Sequence, residues 1–458
     1  MTYEDALGYL EGLINYERQP VKGYKSSFKL ERLKAFLKSI GDPQERLSVI
    51  HVAGTKGKGS TSCFIAQILR QAGYRTGLYT SPHLQDIRER IRLFDPRHTS
   101  GEHSSFPGMI LKNEFSELIG QTAEEAARFE AGPGEHGPLT FFEFLTAAAF
   151  QYFASRNTDF VVLETGLGGR LDATNVASSL VSVITPVSYD HEQVLGTTLP
   201  EIAFEKAGIV KSSNRRSRQE AGVCVSSCQL KEVSLVLRRR CSTEGAALLE
   251  MDKHFSYKRL SNDLLSQKFF YQGIAGKSHF FDIRMLGEHQ LGNAALALAA
   301  TEALSLYGHD ISYAAMAEGL KQAYWPGRLE VISTQPYIIL DGAHNRESAH
   351  RLVHFIEKEF GQFRKWLVFG ASKDKDLKGL AELFESLADR VILTRSANPR
   401  AADPETDLKT HFKNSPFKMT SCVEEALDIL SREMGPQEVA VITGSLFVVG
   451  EVRSLWQK

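Results

Sequence analysis

The run Ser48-Val49-Ile50-His51-Val52-Ala53-Gly54-Thr55-Lys56-Gly57-Lys58-Gly59-Ser60-Thr61 begins as a short apolar strand and turns, with no spacer, through three glycines. Downstream, Ile65, Ile68, Leu69 and Ala72 recur at helical spacing, so a helix starts where the glycines end. Strand, glycine turn and helix in that order make the setting of a phosphate-binding loop. The glycines let the backbone of Gly54, Thr55, Gly57, Lys58, Gly59 and Ser60 curl its N–H groups toward phosphate oxygens, and the helix N-terminus adds partial positive charge. Lys58 is placed to bridge terminal phosphates, and the Ser60 hydroxyl to ligate Mg²⁺. The spacing is unusual, since Gly59 stands between Lys58 and Ser60. The plainer reading of these residues is a glycine-rich turn with exposed lysines.

Outward from this stretch, strand-length apolar runs alternate with helical periodicity almost throughout, which predicts an α/β fold with a largely parallel sheet. Phe160–Leu163 and Leu180–Ile184 read as further buried strands whose C-terminal ends should share one rim with the loop. A helix is expected from about Leu111 to Phe129. Tyr324-Trp325-Pro326-Gly327-Arg328 punctuates the chain, and the boundary is placed there: an ATP-binding domain over 1–325 and a smaller, doubly wound, Rossmann-like domain over 326–458. In the second, Tyr337–Leu340, Trp366–Phe369, Arg390–Thr394 and Val439–Thr443 read as strands, with helices near 346–360, 376–388 and 423–434. Residues 95–108 and 130–138 read as surface excursions. Residues 211–240 hold eight Lys or Arg against two Glu; they read either as a patch for an anionic partner or as a solvated insertion followed by a helix.

With 42% hydrophobic and 24% charged residues, the composition is that of a globular protein able to bury a core. Lys and Arg number 54 against 55 Asp and Glu, which leaves no basic excess for nucleic acid. The longest apolar stretches, such as 294–300 and 145–153, fall short of the ~20 residues of a membrane span. Met1-Thr2-Tyr3-Glu4-Asp5 lacks the basic and then apolar regions of a secretory signal. Five cysteines, an odd number without paired Cys-x-x-Cys motifs, fit a reducing cytoplasm better than a disulfide scaffold or zinc site.

Other residues carry chemistry in their own right. Glu164 ends an apolar strand and is followed by Gly166, Gly168 and Gly169, so its carboxylate should emerge beside the loop, either as a Mg²⁺ ligand or as a capping group. Thr140-Phe141-Phe142-Glu143 joins two aromatics to a hydroxyl and a carboxylate, a composition suited to a flat heterocycle but equally to core packing. On residue type alone, His191 reads as a structural histidine and Lys206 as a helix-end lysine paired with a carboxylate. Likewise Asn293 reads as helix packing, Arg328 as a linker charge and Asp341 as a strand-end turn.

Gly-Thr-x-Gly-Lys-Gly-Ser resembles the nucleotide loop of the Mur ligase superfamily, in particular of folylpolyglutamate synthases and bifunctional dihydrofolate synthases. The likeness continues, in family order, through Thr80–Leu84, Leu163–Asn175, Asp190-His191, Glu205–Ile209, Gly287-x-His289-Gln290-x-x-Asn293, Trp325–Arg328, Asp341–Asn345 and Thr443-Gly444-Ser445. It implies ATP held by the loop with Asn293, Arg328 and Asp341. It implies Mg²⁺, two ions by expectation, on Ser60, Ser81, Glu164, His191 and Lys206, the last carboxylated on its amine, and it admits K⁺ as a further cation. A folate or pterin would lie against Thr140, Phe141, Phe142, Glu143, Leu171, Asp172 and Ala173, and the incoming glutamate against His344 and Ser445. Lys58, Lys206, His191 and His344 carry the catalytic roles in this reading. Lys56 and Thr165 depart from residues common in the family, and a basic segment replaces its usual Pro-Gly turn after Lys206.

The expected reaction is ATP-dependent addition of L-glutamate to folates, and to dihydropteroate, through an acyl phosphate. The expected partners are these small molecules alone, for a monomer in the cytoplasm that binds neither nucleic acid nor membrane. The rivals are a Mur-type ligase for another acid and a P-loop ATPase switch that contacts a partner through 211–240.

Overall fold

Val49–Ala53 is buried at all five positions, so this strand must lie in a sheet covered on both faces. The computed structural model describes residues 1–17, 30–97, 106–132, 136–212, 221–413 and 415–456, apart from the side chain of Asn262. Its strands in chain order are β1 (Val49–Ala53), β2 (Thr76–Tyr79), β3 (Ile91–Phe94), β4 (Phe160–Glu164), β5 (Ser179–Ile184), β6 (Val223–Ser226), β7 (Ala247–Glu250), β8 (Ser256–Asn262), β9 (Gln267–Gln272), β10 (Ser278–Ile283), β11 (Glu330–Thr334), β12 (Tyr337–Leu340), β13 (Arg364–Phe369), β14 (Arg390–Leu393), β15 (Phe417–Met419) and β16 (Glu438–Thr443).

The first sheet runs β3-β2-β4-β1-β5-β6-β7. Only β3 is antiparallel to its neighbour; the other pairings are parallel. One face is covered by the helix Lys58–Gln71 with Glu288–Glu302 and Tyr313–Gln322, the other by Lys112–Glu130, Phe141–Ser155 and Leu30–Ser39. A second sheet, β11-β12-β16-β13-β14-β15, is built from residues after Pro326 and is parallel except for β11. Apolar clusters on both faces make it doubly wound.

The alternation reading finds the principal strands, and the helix read at 346–360 is Arg346–Phe360. The helices read at 376–388 and 423–434 are Leu377–Glu385 and Val423–Glu433, and the one read from Leu111 is Lys112–Glu130. The antiparallel sheet β8-β9-β10 was not expected, although β9 alternates buried and outward residues along Gln267–Gln272. The reading of 211–240 as a surface insertion needs correction. Residues 213–220, with Arg215, Arg216 and Arg218, lie outside the described residues, but Val223–Ser226 is β6, buried at every position inside the first sheet. The charge run masked a four-residue apolar strand. Of the excursion at 95–108, residues 98–105 are outside the described set, as are 133–135 of the other.

Candidate active site

Parallel strands deliver their following loops to one edge, and in both sheets that edge faces a single cleft of about 1650 Å³. From the first sheet come the glycine loop after β1, Thr80 and Ser81 after β2, Glu164 at the end of β4, and Asp190 and His191 beyond β5. From the second come Asp341, Gly342 and His344 after β12, and Gly444 and Ser445 after β16. Trp325 and Arg328, from the connection between the two sheets, line the same cleft.

The helix after β1 begins at Lys58, and its N-cap Gly57 (φ 91°) supplies no side-chain hydrogen bond, so the first N–H groups remain available. The glycines are there for clearance. A Cβ on Gly54 would lie 1.9 Å from Thr185 Oγ1, one on Gly57 2.3 Å from Asn293 Oδ1, and one on Gly59 2.8 Å from the Trp325 ring. Three side chains from three other elements thus press the loop into shape. Thr185 was not singled out in the sequence, and Trp325 only as part of the boundary run and its family motif, because nothing local to either signals the contact. Asn293 Nδ2 donates to Gln290 Oε1 at 2.9 Å, which fixes its amide against the loop. Lys56, a departure from the family pattern, pairs with Asp190 at 3.1 Å.

Behind the loop lie two buried ionisable groups of opposite kind. Glu164 is 5% exposed and accepts from the Ser81 N–H at 3.2 Å; burial pushes its carboxyl up to about 7 against the opposing pull of Lys58. Lys206 is 3% exposed and donates to the Gly54 carbonyl at 2.9 Å; burial, with Lys58 in support, brings its amine down to about 7. Lys206 does stand in the last turn of the helix Leu199–Ala207, but the carboxylate pairing read for it fails: it is Glu205 that pairs, with Arg170 at 2.8 Å. A Cβ on Gly208 would strike Arg170 Cα at 2.4 Å and one on Gly169 the Lys206 carbonyl at 2.8 Å, so the two motifs interlock. His191 adopts a left-handed φ of 52° and leaves its ring exposed at the cleft. Among the described residues no group of three or more His, Cys, Asp or Glu is arranged to hold a metal.

The four residues Thr140–Glu143 divide. Thr140 Oγ1 accepts from the Glu143 N–H while Glu143 accepts from the Thr140 N–H at 2.8 Å, a complete capping box. Arg32 adds an ion pair to Glu143 at 2.7 Å. Phe141 is a core residue under the Arg90 guanidinium, the packing alternative of its sequence reading and not the pterin contact that the family resemblance implies; the Phe142 ring lines the cleft, seated on Gly166. Leu171, Asp172 and Ala173 also line it, with Asp172 buried and capping the turn Ala173–Val176.

On the opposite rim, Asp341 accepts from the Leu329 and Ala343 N–H groups, both at 2.9 Å, and burial raises its carboxyl despite Arg328. His344 lies 2.8 Å by Nδ1 from the Gly342 carbonyl, which can only accept, so Nδ1 carries the proton and Nε2 is an acceptor. Burial lowers this imidazole to about 4. Ser445 is buried, its Oγ accepting from the Phe447 N–H at 3.1 Å.

The Mur ligase middle domain matches residues 52–301, and the Mur ligase glutamate ligase domain matches 327–446. The dihydrofolate synthase/folylpolyglutamate synthase of Bacillus subtilis is 32% identical over 99% of this chain and 98% of its own length. The folylpolyglutamate synthase of Mycobacterium tuberculosis, solved with ADP and AMPPCP, superposes with a TM-score of 0.82 at 29% identity, covering 100% of this chain and 99% of its own. A folylpolyglutamate synthase complex with AMPPCP and folate matches at 0.79 and 27% identity over 100% of both chains. A nucleotide-type loop and an opposed second rim, in a chain matched over its whole length, mean that this chain belongs to the Mur ligase family, as an ATP-dependent glutamate ligase of the folylpolyglutamate synthase/dihydrofolate synthase kind.

Proposed function

We propose that the chain works as two units, 1–325 and 326–458, which hold ATP between them and join L-glutamate to a folate, and to dihydropteroate, by way of an acyl phosphate. A carboxylate is a poor electrophile, so its oxygen first attacks the γ-phosphorus and ADP leaves; the glutamate amine then attacks the acyl carbon and phosphate departs. The carrying observation is the single cleft that opposes the loop rim to the rim of Asp341, His344 and Ser445. In this reading the N–H groups from Gly57 to Ser60 cradle the phosphates, since those of Thr55, expected there from the sequence, and of Lys56 already donate to the Pro186 carbonyl at 2.9 and 3.4 Å. Lys58 tracks the transferred phosphate, and Asn293, Arg328 and Asp341 hold the nucleoside. Phe142 with Leu171–Ala173 forms the wall for the pterin, while Thr140 and Glu143 act by fixing the helix that carries Phe142. His344, neutral down to about pH 4, accepts from the amino group of glutamate rather than repelling it, with Ser445 beside it.

The site suits Mg²⁺. The buried Glu164 carboxylate receives a backbone hydrogen bond and no ion-pair partner among the described residues, and Mg²⁺ is commonly bound by one or two carboxylates plus substrate phosphates. Ser60, Ser81, Glu164, His191 and a carboxylated Lys206 would hold the metal, which when bound neutralises charge on the phosphates. An amine brought to about 7 is substantially unprotonated at neutral pH, the form that combines with CO₂. The free thiols of all five cysteines accord with work in the cytoplasm.

The test is isotopic. With ¹⁸O in the acceptor carboxylate, one label should appear in the released phosphate; unlabelled phosphate alongside amide formation overturns the acyl-phosphate route. CO₂-stripped enzyme should lose activity and regain it with bicarbonate, and indifference to both treatments removes the carboxylated lysine.

A further inference from the structure

The loop after β2, residues 81–86, begins in the cleft and ends outside it. At its start the Ser81 N–H donates to the buried Glu164 carboxylate at 3.2 Å. Its far end winds around a second buried carboxylate: Glu89 accepts from the Leu84, Gln85 and Asp86 N–H groups, all at 2.7 Å. Three charge-assisted bonds make this end rigid. There the loop meets Leu446–Trp456, the last helix of the second unit. A Cβ on Gly450 would lie 2.4 Å from the Leu84 carbonyl oxygen, so the helix admits the loop only because that residue has no side chain. Gln85 then bonds twice, its Nε2 donating to Ser454 Oγ at 2.8 Å and its Oε1 accepting from Arg453 Nη1. Arg453 is buried and joins three segments. Besides Gln85, its Nη2 donates to the Tyr324 hydroxyl at 3.3 Å and its Nε to Glu330 at 2.9 Å. Glu330 in turn accepts from the Gly327 N–H at 2.7 Å and from the Tyr324 hydroxyl, gripping the connection just before Arg328. Ties elsewhere between the units, Ser188 to Glu347 at 3.2 Å and Arg259 to Glu359 at 3.3 Å, run between single side chains.

We propose that Gln85 is a positioning residue for ATP use: by fastening the loop of Ser81 to Arg453, it sets Arg328 at the distance from the phosphate loop that one nucleotide spans. This rests on the glutamate-ligase reading above, in which ATP lies between the two rims. Gln85 does not line the cleft, so it acts through the groups it holds rather than on a substrate. On one side these lead along the rigid loop to Ser81 and Glu164. On the other they lead through Arg453 and Glu330 to Arg328, whose charge acts on Glu164 of the first rim and on Asp341 of the second. The acceptor wall, Phe142 with Leu171–Ala173, comes from the first unit alone and needs no such alignment. A loss confined to ATP is therefore the mark of this role.

The experiment measures KM for ATP and for tetrahydrofolate, by ADP formation, in Gln85→Leu, Gln85→Glu and the unaltered chain, each with and without Arg328→Ala. AMPPCP binding is followed in parallel by calorimetry. Gln85→Leu keeps the volume and loses both bonds; it should raise KM for ATP and Kd for AMPPCP about fivefold or more, with KM for tetrahydrofolate changed by less than about twofold. Gln85→Glu still accepts from Arg453 and from the Ser454 hydroxyl, and should stay within about twofold on both substrates. In the Arg328→Ala background Gln85→Leu should cost less than about twofold, since a group that acts through another then has nothing left to position. An unmoved KM for ATP, an equal rise in both KM values, or the full loss persisting beside Arg328→Ala overturns the proposal, because a merely structural role would spare neither substrate and would add to the Arg328 effect. Should Gln85→Leu not fold, Ser454→Ala, which removes the outer bond alone, must raise KM for ATP about threefold, and no rise is equally fatal. If the unaltered chain forms no ADP with any acceptor and glutamate, the parent reading fails; AMPPCP binding that Gln85→Leu leaves unchanged sinks this inference alone.

Discussion

Two helices start at the cleft and end their first turns in opposite ways. Lys58–Gln71 is preceded by Gly57, which has no side chain to cap it, while Phe141–Ser155 is preceded by Thr140 inside a full capping box backed by Arg32. The first start leaves its N–H groups open and costs stability when empty; the second satisfies its own and adds rigidity. A helix start can therefore serve a ligand or serve the fold, and the difference lies in whether its donors are already used. Thr140 and Glu143, attractive as pterin contacts in the sequence, belong to the closed kind.

The open start should carry the largest effect. Lys58→Ala is expected to lower kcat at least a hundredfold, about 2.7 kcal/mol, with the melting temperature changed by no more than about 2 °C. A variant that unfolds instead would place Lys58 with the fold and break the contrast. Next is the strand that feeds this loop. His51 is fully buried, and burial holds its imidazole at about 3, with Nε2 bonded to Thr174 Oγ1 at 2.8 Å. Its folded pKa is depressed, so it contributes stability above the unfolded value near 6.5 that is lost as pH falls toward 3. At pH 4.5 the loss amounts to about 2–3 kcal/mol. Denaturant melts of the unaltered chain and of His51→Gln across pH 7 to 4.5 should show the steeper fall only in the former.

The closed start should give a smaller effect of the other kind. Thr140→Ala is expected to cost about 1 kcal/mol of stability in urea titrations, with kcat/KM per folded molecule within about threefold. A large rise in acceptor KM at unchanged stability would restore Thr140 as a substrate contact. Least of all, neutralising Arg215, Arg216 and Arg218 to Ser should leave ligation within about twofold in a steady-state assay, and a collapse of rate would revive the basic segment as a site.

The α/β class, the principal strands and the loop were legible because each is a local pattern: apolar runs of strand length, a helical stripe through Ile65 and Leu69, glycines between them. The partition of Thr140–Glu143 was not, since composition shows what a side chain can do and not what already occupies it. β6 was hidden because Val223–Ser226 is short and flanked by charge. The clamps that Thr185 and Trp325 place on the loop are products of tertiary approach, which no spacing along the chain encodes. Lys206 was legible as chemistry only through family resemblance; its burial against Gly54 is what makes an uncharged amine intelligible there.

The chain has three tryptophans, and they stand in unlike places. Trp366 is buried with its indole bonded to Glu438, and Trp456 is 45% exposed on the C-terminal helix. Trp325 alone rests on the nucleotide loop, at Gly59. Its emission is therefore an optical gauge of that loop: with Trp366 and Trp456 replaced by Phe, a change in fluorescence on adding nucleotide would report occupancy in real time, without a label and without turnover.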